Sequence, residues 1–164
     1  MLRDYQKIID EAIRLELGVV IYAPHPKSGF GQRQYINIWI RDRSPDWEIE
    51  MDIGNLDLSI LIAYKLKRNW PAQIRLITMV DSEEKEQKAL EFMKKLVDLA
   101  RLPRTEVLVK NGTFKEFLDE APQADLNIFG LTHEPDFDFM HAMVEKTHTT
   151  CLFILDSGHE NVLA

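Results

Sequence analysis

Apolar residues recur along this chain with two periods, one typical of helices and the other typical of strands. Positions 8, 9, 12, 13 and 15 are apolar, which is helical spacing, so a helix is predicted within residues 3–16. Residues 18–22 then form a short β-type run of unknown place in the sheet. After a loop rich in proline and glycine, residues 35–40 are β-branched or aromatic and predict the next strand.

The segment after this strand has a strict period of two. Trp47, Ile49, Met51 and Ile53 alternate with acidic residues, which predicts a short strand with one apolar face. Tryptophan and methionine are enriched in the cores of interfaces, so Trp47, Ile49 and Met51 are candidate contact residues for another protein. An equally good interpretation is that they cover an edge of this domain's own sheet.

From Asn55 onward, predicted helices and strands alternate regularly. Asn55 is a suitable N-cap for the first of these helices, Asp81 with Glu84 resembles a capping box, and Thr113 is a suitable cap for a short helix. The predicted helices cover 56–69, a segment after Asp81, a short segment after Thr113, and 136–147, and the strands cover 74–80, 106–110, 126–129 and 151–155.

Alternation of this kind implies right-handed crossovers and a parallel sheet. The predicted fold class is therefore α/β. It has a mostly parallel, twisted, Rossmann-like sheet with helices on both faces, preceded by an extra N-terminal helix and strand. We expect one domain over residues 1–164, with the helix in 1–16, the sheet and its helices in 17–156, and a tail in 157–164.

The composition of the chain argues against several classes of function. The 164 residues are 45% hydrophobic and carry a net charge of −7, which argues against a nucleic-acid or anionic-membrane surface, because both require a basic patch. No apolar run approaches the roughly 18 residues that span a bilayer, and the N-terminus lacks the features of a secretory signal. The single cysteine, Cys151, lies in an apolar run and has no disulfide partner, which fits a buried side chain in a reducing compartment.

The turn after the strand at 126–129 is where a doubly wound fold would begin a phosphate loop. Such a loop needs glycines, so that backbone N–H groups can approach an anion closely. Gly130 is followed by no further glycine in this turn and by three carboxylates, Glu134, Asp136 and Asp138. The sequence thus predicts a nucleotide-type scaffold without a nucleotide site and without a cofactor. Cations that could meet an anion there, Arg41 and Arg43, are outnumbered by Asp42, Asp46, Asp81 and Glu134.

A metal or acid–base site is the other chemical alternative. On the predicted last helix, one stripe carries Asp138, His141, Glu145 and His148, with His133, Glu134 and Asp136 just before it. The opposite stripe is apolar (Met140, Met143 and Val144), so the first stripe is interpreted as the solvated face of the helix, with no metal ligands and no catalytic residues. An enzyme using this stripe would require its side chains to converge in a pocket.

Several segments resemble the cytosolic C-terminal domain of bacterial and archaeal cation-chloride cotransporters, which belong to the wider amino acid permease superfamily. The resemblance lies in the leucine-rich helix from Gly54 to Tyr64, Trp70 just past its end, and the strand core Ile74-Arg75-Leu76. The segments 34–39 and 124–131 are also similar to that domain, and the resemblance covers roughly residues 17–155. Residues 47–53 look like an insertion. The family's domain is similar in fold to universal stress proteins.

This resemblance implies a non-enzymatic regulatory or dimerisation domain on the cytoplasmic side of the cell membrane. Its partners would be the transmembrane domain of the parent transporter and a second copy of itself, with no nucleic acid and no insertion into the membrane. In the stress-protein layout the last strand is an edge strand that pairs across a two-fold axis, which makes Cys151, Phe153 and Leu155 further interface candidates. The alternative is a stand-alone nucleotide-binding protein of the universal stress type.

Overall fold

The computed structural model describes residues 1–41 and 55–163. The strand predicted at 47–53, with Trp47, Ile49 and Met51, lies outside the described residues, as do Asp42, Arg43 and Asp46. Within the described residues the helices are α1 (Leu2–Arg14), α2 (Asp57–Asn69), α3 (Glu83–Leu99), α4 (Phe114–Leu118) and α5 (Phe137–Thr147). The strands are β1 (Val19–Ala23), β2 (Tyr35–Ile40), β3 (Gln73–Val80), β4 (Glu106–Asn111), β5 (Leu126–Gly130) and β6 (Thr150–Leu155).

The described strands form one six-stranded sheet in the order β1-β6-β5-β2-β3-β4. Every neighbouring pair is parallel except β1 with β6, which is antiparallel. From β2 the chain proceeds to β3 and β4 on one side, whereas β5 and β6 lie on the other side. This is a doubly wound sheet in which the order of strand addition reverses between β2 and β5, at the position called the topological switch point. It confirms the predicted α/β fold with an extra N-terminal helix and strand.

The expectation that the last strand is an edge strand is wrong. β1 pairs with β6 along its whole length, from Val19 opposite Leu155 to Ala23 opposite Cys151. β6 is not an edge strand because the N-terminal extension supplies a further strand. After α1 the chain forms β1, which pairs antiparallel with the outer side of β6. Cys151, Phe153 and Leu155 are consequently buried inside this chain, and β1 and β4 are the edges of the described sheet.

Hydrophobic side chains cover both faces of the sheet. On one face, Ile38, Leu76 and their neighbours pack against α2 and α3. On the other face, Trp39, Ile77, Phe129 and Phe153 pack against α1, α4 and α5. The rings of Trp39, Phe129 and Phe153 stack in sequence across β2, β5 and β6, with centroids 5.8 and 5.5 Å apart.

Buried polar residues form a row across the sheet on the same face as this aromatic stack. Arg75 on β3 is opposite Asn37 on β2, which is opposite Asn127 on β5. The Arg75 Nη1 donates to Asn37 Oδ1 over 3.0 Å, and Asn37 Nδ2 donates to Asn127 Oδ1 over 3.1 Å. Arg75 also pairs with Glu106 on β4 and lies 3.9 Å over the ring of Tyr35. Because unpaired polar groups are costly inside a protein, these bonds favour one strand order.

Two of the three predicted helix caps differ from the structure. Helix α3 begins one residue later than a cap at Asp81 requires, and the Asp81 carboxylate instead pairs with Lys85 Nζ at 2.7 Å. Asn55 does not cap α2, whose N-cap position is Leu56. Thr113 caps α4 as predicted, in a complete capping box with Glu116.

The entry to β2 is held by a single carboxylate. Asp125, which is buried and directly precedes β5, accepts four backbone N–H groups from the turn at residues 31–34, over 2.8 to 3.1 Å. Gln34 in this turn has a φ of 62°, in the left-handed region that non-glycine residues rarely occupy. Asp125 therefore fixes a strained turn and the start of the central strand together.

We expect Asp125→Ala to lower the free energy of unfolding by about 3 kcal/mol, because several backbone donors lose a charged acceptor in a partly buried turn. Denaturant unfolding followed by circular dichroism measures the loss. The control is Asp119→Ala, which removes an exposed carboxylate at the end of α4. Equal stability of the two variants would contradict the role given to Asp125.

Candidate functional site

The crevice where such folds bind ligands lies at the carboxyl ends of β2 and β5. A cavity of about 370 Å³ opens there, with a mainly apolar lining that includes the aromatic residues Trp39, Phe114, Phe129 and Phe139. Arg41 and Asp81 are its charged members. A neighbouring cavity of about 350 Å³ extends past Gly130 to Asn55 and His133. Residues 42–54 connect Arg41 to Asn55, so this segment leaves and rejoins the described chain beside the crevice.

Asn55 occupies the place beside Gly130 where a phosphate loop would expose its backbone. Its Nδ2 donates to the carbonyl oxygens of Leu131 and Ile154, over 3.2 and 3.1 Å, and its Oδ1 accepts from the N–H of Asp156 over 2.6 Å. A Cβ atom on Gly130 would lie 3.2 Å from the Asn55 amide nitrogen. Asn55 thus ties the ends of β5 and β6 to the start of α2, which is why it does not cap the helix.

Two backbone donors beside this crevice have partners within the chain. The N–H of Leu131 donates to the carbonyl of Ile154 over 2.7 Å. At the start of α5, the Asp136 carboxylate caps the helix by accepting from the Phe139 N–H over 3.0 Å. An anion at this helix N-terminus would be repelled by that carboxylate, which already uses the Phe139 N–H. The geometry therefore favours an uncharged occupant or none, and the absence of a cofactor stays a prediction.

The acidic and histidine stripe of α5 faces solvent. Asp138, His141, Glu145 and His148 are all exposed, and so are His133, Glu134 and Asp136 in the preceding turn. The opposite stripe is buried against the sheet, which confirms the predicted apolar face: Met140, Met143 and Val144. Among residues 1–41 and 55–163, no three histidine, cysteine or acidic side chains are grouped so that they could hold a metal ion.

Cys151 is fully buried in β6, and burial raises the pKa of its thiol to about 11. A thiol in this state carries almost no thiolate near neutral pH, so it is not an accessible nucleophile. Ser157 and His159 are not arranged as a catalytic pair. The Ser157 hydroxyl donates to Glu160, and the His159 ring contacts Glu16 at 3.1 Å.

The C-terminal tail is folded onto the domain, although a polar tail is by default disordered. The N–H of Val162 donates to the Asp57 carboxylate over 2.7 Å, and the side chains of Val162 and Leu163 pack against the core on the α2 face. This contact brings three carboxylates together at the start of α2: Asp57, Asp156 and Glu160. Burial, together with the nearby charges of Glu160 and Asp57, raises the pKa of Asp156 to about 6.

Sequence reasoning placed the crevice correctly and missed the roles of three polar residues, of which Asn55 lines a cavity there, whereas Asp125 lies at the opposite, amino end of β5. Asn55 was assigned to a helix cap, and neither Asp125 nor Asp156 was singled out. Asn55 lies directly after the segment with period two and before a leucine-rich helix, so its local signal favours capping. Its true acceptors, Leu131 and Ile154, are distant in sequence.

Taken together, the fold and the site define a class of protein: a doubly wound α/β domain. At its switch point, the side chains of Asn55 and Asp136 bond to backbone groups of the same chain. The model of the family described as the prokaryotic cation-chloride cotransporter C-terminal domain, 2nd, matches residues 31–163. The chain therefore belongs to this family, as part of the C-terminal cytoplasmic domain of a cotransporter.

A crystal structure of the cytoplasmic domain of a prokaryotic cation chloride cotransporter is similar over 98% of this chain, with a TM-score of 0.88 and 37% sequence identity. The chain spans 61% of the length of that relative's chain. No curated protein matches the sequence. Within the described residues, no helix is both long and apolar enough to cross a membrane.

We expect ATP, ADP and AMP at millimolar concentration to leave the thermal unfolding midpoint unchanged, because the Leu131 N–H is already bonded and the carboxylates of Asp81 and Asp136 line the crevice and would repel a phosphate. A ligand at a hundred times its Kd would stabilise the fold by about 2.7 kcal/mol, which a thermal-shift assay detects readily. A saturable rise in the midpoint that disappears in Arg41→Ala would contradict this expectation.

Asp156 gives a pH dependence with a defined sign. Its pKa is about 6 in the folded protein and 3.8 for an unperturbed aspartate, so between these pH values the folded state binds more protons than the unfolded chain. Stability from this group therefore falls as pH rises through the window from about 4 to 6 and stays low above it.

We expect Asp156→Asn to be more stable than the parent at pH 7.5 and to lose part of the slope between pH 4 and 6, since asparagine can still accept from the Leu58 N–H. Denaturant unfolding at half-unit pH intervals measures both effects, with Asp119→Asn as the exposed control. A slope that is the same in the parent and in Asp156→Asn would contradict the assignment.

Proposed function

We infer that this domain is a non-enzymatic regulatory and dimerisation domain of its parent cation-chloride cotransporter. The observation that carries this inference is family membership combined with a switch point closed by Asn55 and by the capped start of α5. A fold of the nucleotide-binding type that uses its ligand crevice for internal bonds is suited to serve as a rigid body for contacts. Cys151, Ser157 and the α5 stripe each lack the geometry of a catalytic group.

Regulation would require two arrangements of this domain relative to the transmembrane part, each with different contacts. The rigid sheet supports such a role, because packed cores move as units and deform little. The surface available for these contacts includes the crevice mouth at Arg41, from which residues 42–54 leave the described chain.

The second candidate is binding of a small ligand at the switch point. The aromatic cavity of about 370 Å³ next to Arg41 favours it, because its volume suits a small molecule with an apolar ring. A nucleotide remains the less favoured ligand, since its phosphates would meet Asp81 and the capped start of α5.

Deleting the domain from the parent cotransporter should change chloride flux per transporter, or the fraction of dimers in the membrane, by at least about fivefold, a coupling at the lower end of the usual scale. Isotope flux into vesicles and chemical cross-linking measure the two effects at matched abundance. The control is Asp119→Ala in the full-length protein. Unchanged flux, assembly and abundance after deletion would remove the proposed function.

A further inference from the structure

The segments that lead into three neighbouring strands are rich in cations. Residues 24–34, 65–72 and 98–105 precede β2, β3 and β4, which are adjacent in the sheet, so these segments lie side by side at the amino ends of the strands. They contain one carboxylate, that of Asp98, and seven cationic residues: Lys27, Arg33, Lys65, Lys67, Arg68, Arg101 and Arg104. We call this surface the basic end of the sheet.

The opposite end of the sheet is acidic. The first turn of α3, which follows β3, contains Glu83, Glu84 and Glu86, and the turn after β5 contains Glu134 and Asp136. The net charge of −7 is therefore an average over two ends of opposite sign. The argument from net charge against an anionic-membrane surface does not apply to the basic end, because a local patch of cations is what such a surface requires.

Contacts between the three segments make the basic end one continuous surface. The N–H of Gln73 donates to the carbonyl of Gln34 over 2.8 Å, which joins the entries to β3 and β2. Lys67 Nζ donates to the carbonyl of Pro103 over 2.5 Å, which joins the end of α2 to the entry to β4. The cations are therefore held together by the fold, although they are distant along the chain.

Most of the charge at the basic end is not neutralised within the domain. The side chains of Arg33, Arg68, Arg101 and Arg104 are exposed, and none forms a hydrogen bond or an ion pair with another residue of 1–41 or 55–163. Burial and the positive charge of Arg104 lower the pKa of Lys67, so like charges lie close together here. An anionic partner would relieve this repulsion.

The backbone of the α3–β4 connection does not explain its arginines. Arg101 and Arg104 have φ values of 53° and 58°, in the left-handed region that glycine occupies without strain. Glycine would suit both turns better than arginine does. What the arginines add at these two positions is an exposed positive charge.

An aromatic side chain lies among these cations. The ring of Phe30 packs edge-on against that of Trp70 with centroids 5.1 Å apart, and Phe30 is 53% exposed. Trp70 directly follows α2, so this pair joins the segments before β2 and β3. Aromatic rings beside lysine and arginine are typical of protein surfaces that contact the headgroup region of a membrane.

We propose that the basic end of the sheet is a docking surface for the anionic phospholipid headgroups of the cytoplasmic leaflet. This goes beyond the proposed function and rests on family membership, which makes the chain part of the cytoplasmic domain of a membrane protein. The seven cations would face the headgroups, with Phe30 among them, and no helix would enter the bilayer.

An extended anionic surface fits the arrangement of these cations. They are spread over three neighbouring segments, and none of them lines either cavity of the crevice, so they do not form a pocket for one small anion there. β3 has eight residues and is about 26 Å long at roughly 3.3 Å per residue. The acidic end therefore lies more than two Debye lengths from a membrane at the basic end, since this length is about 10 Å at 0.1 M salt.

The test measures the partition coefficient of the 164-residue chain on lipid vesicles by co-sedimentation. Vesicles of equal parts phosphatidylglycerol and phosphatidylcholine should bind the chain at low salt, and vesicles of phosphatidylcholine alone should bind it at least tenfold more weakly. About 0.5 M salt should release the bound chain, because the Debye length then falls to roughly 4 Å.

Two pairs of substitutions test the location. Arg101→Gly with Arg104→Gly should lower the partition coefficient at least tenfold, because each cation near an anionic membrane contributes about fivefold. Glycine suits the backbone at both positions, so this variant should fold. Arg33→Gln with Arg68→Gln should give a similar loss from the segments before β2 and β3.

The matched control is Lys110→Gln with Lys115→Gln, which removes the same charge at the carboxyl end of β4 and the start of α4. Its partition coefficient should stay within about twofold of the wild type. Circular dichroism and unfolding midpoints establish that each variant is folded.

A chain that does not bind the anionic vesicles at low salt overturns the proposal, and this is the result expected if an acidic segment of the longer cotransporter covers the basic end. Equal binding to both kinds of vesicle also overturns it. Equal losses in the control and in the arginine variants overturn the location, since net charge alone would then decide binding. The proposed regulatory function is judged separately, by deletion in the parent transporter, so its failure is distinguishable from each of these outcomes.

Discussion

The architecture depends on how one buried amide, that of Asn127, satisfies its hydrogen bonds. Its Oδ1 accepts from Asn37 Nδ2 and from Trp39 Nε1, over 3.1 and 2.8 Å, and its Nδ2 donates to Thr149 Oγ1 over 2.7 Å. An amide in this position would be costly without partners, because the surrounding core excludes water. Only a sheet with β5 directly beside β2 supplies all three bonds, and this adjacency is what places the switch point. The crevice, the aromatic stack and the turn after Gly130 all follow from that strand order.

At the switch point the fold has a crevice of the kind that binds ligands. Several hydrogen-bond donors beside this crevice bond to other parts of the chain instead. The Leu131 N–H and the Asn55 amide bond within the chain and join β5, β6 and the start of α2 at one end of the sheet, while Asp136 caps α5. These bonds stabilise the crevice as a junction between elements. A domain that transmits force or position between partners benefits from such a junction, since rigid contacts between elements limit independent motion. The same bonds occupy the Leu131 and Phe139 N–H groups, and backbone N–H groups of this kind are what phosphate recognition uses.

The sequence was sufficient for the elements and the fold class, because runs such as Tyr35–Ile40 and the helical spacing of α2 and α3 are local signals. The sequence was insufficient to predict the role of a residue whose hydrogen-bond partner lies far away along the chain. Asp125 accepts from N–H groups 91 to 94 positions earlier, and Asn55 bonds to Ile154, 99 positions later. A capping role is the more frequent use of asparagine before a helix, so tertiary acceptors overrode the local rule. The position of β1 in the sheet could not be predicted either, because an apolar run of five residues does not indicate which strand it pairs with.

The addition of β1 changes the character of that side of the sheet. β6 is buried throughout, so as an edge strand it would expose a continuous apolar run with no charge to oppose pairing. β1 covers this strand, and only its alternate side chains are exposed, because Val19, Ile21 and Ala23 pack against the core on the face of α1 and α5. On β1 itself the large exposed apolar side chains are therefore only Val20 and Tyr22. The segment Val19–Ala23 carries no charge, whereas the other edge strand, β4, carries Glu106 and Lys110, so the two edges of the described sheet are protected from pairing to different degrees.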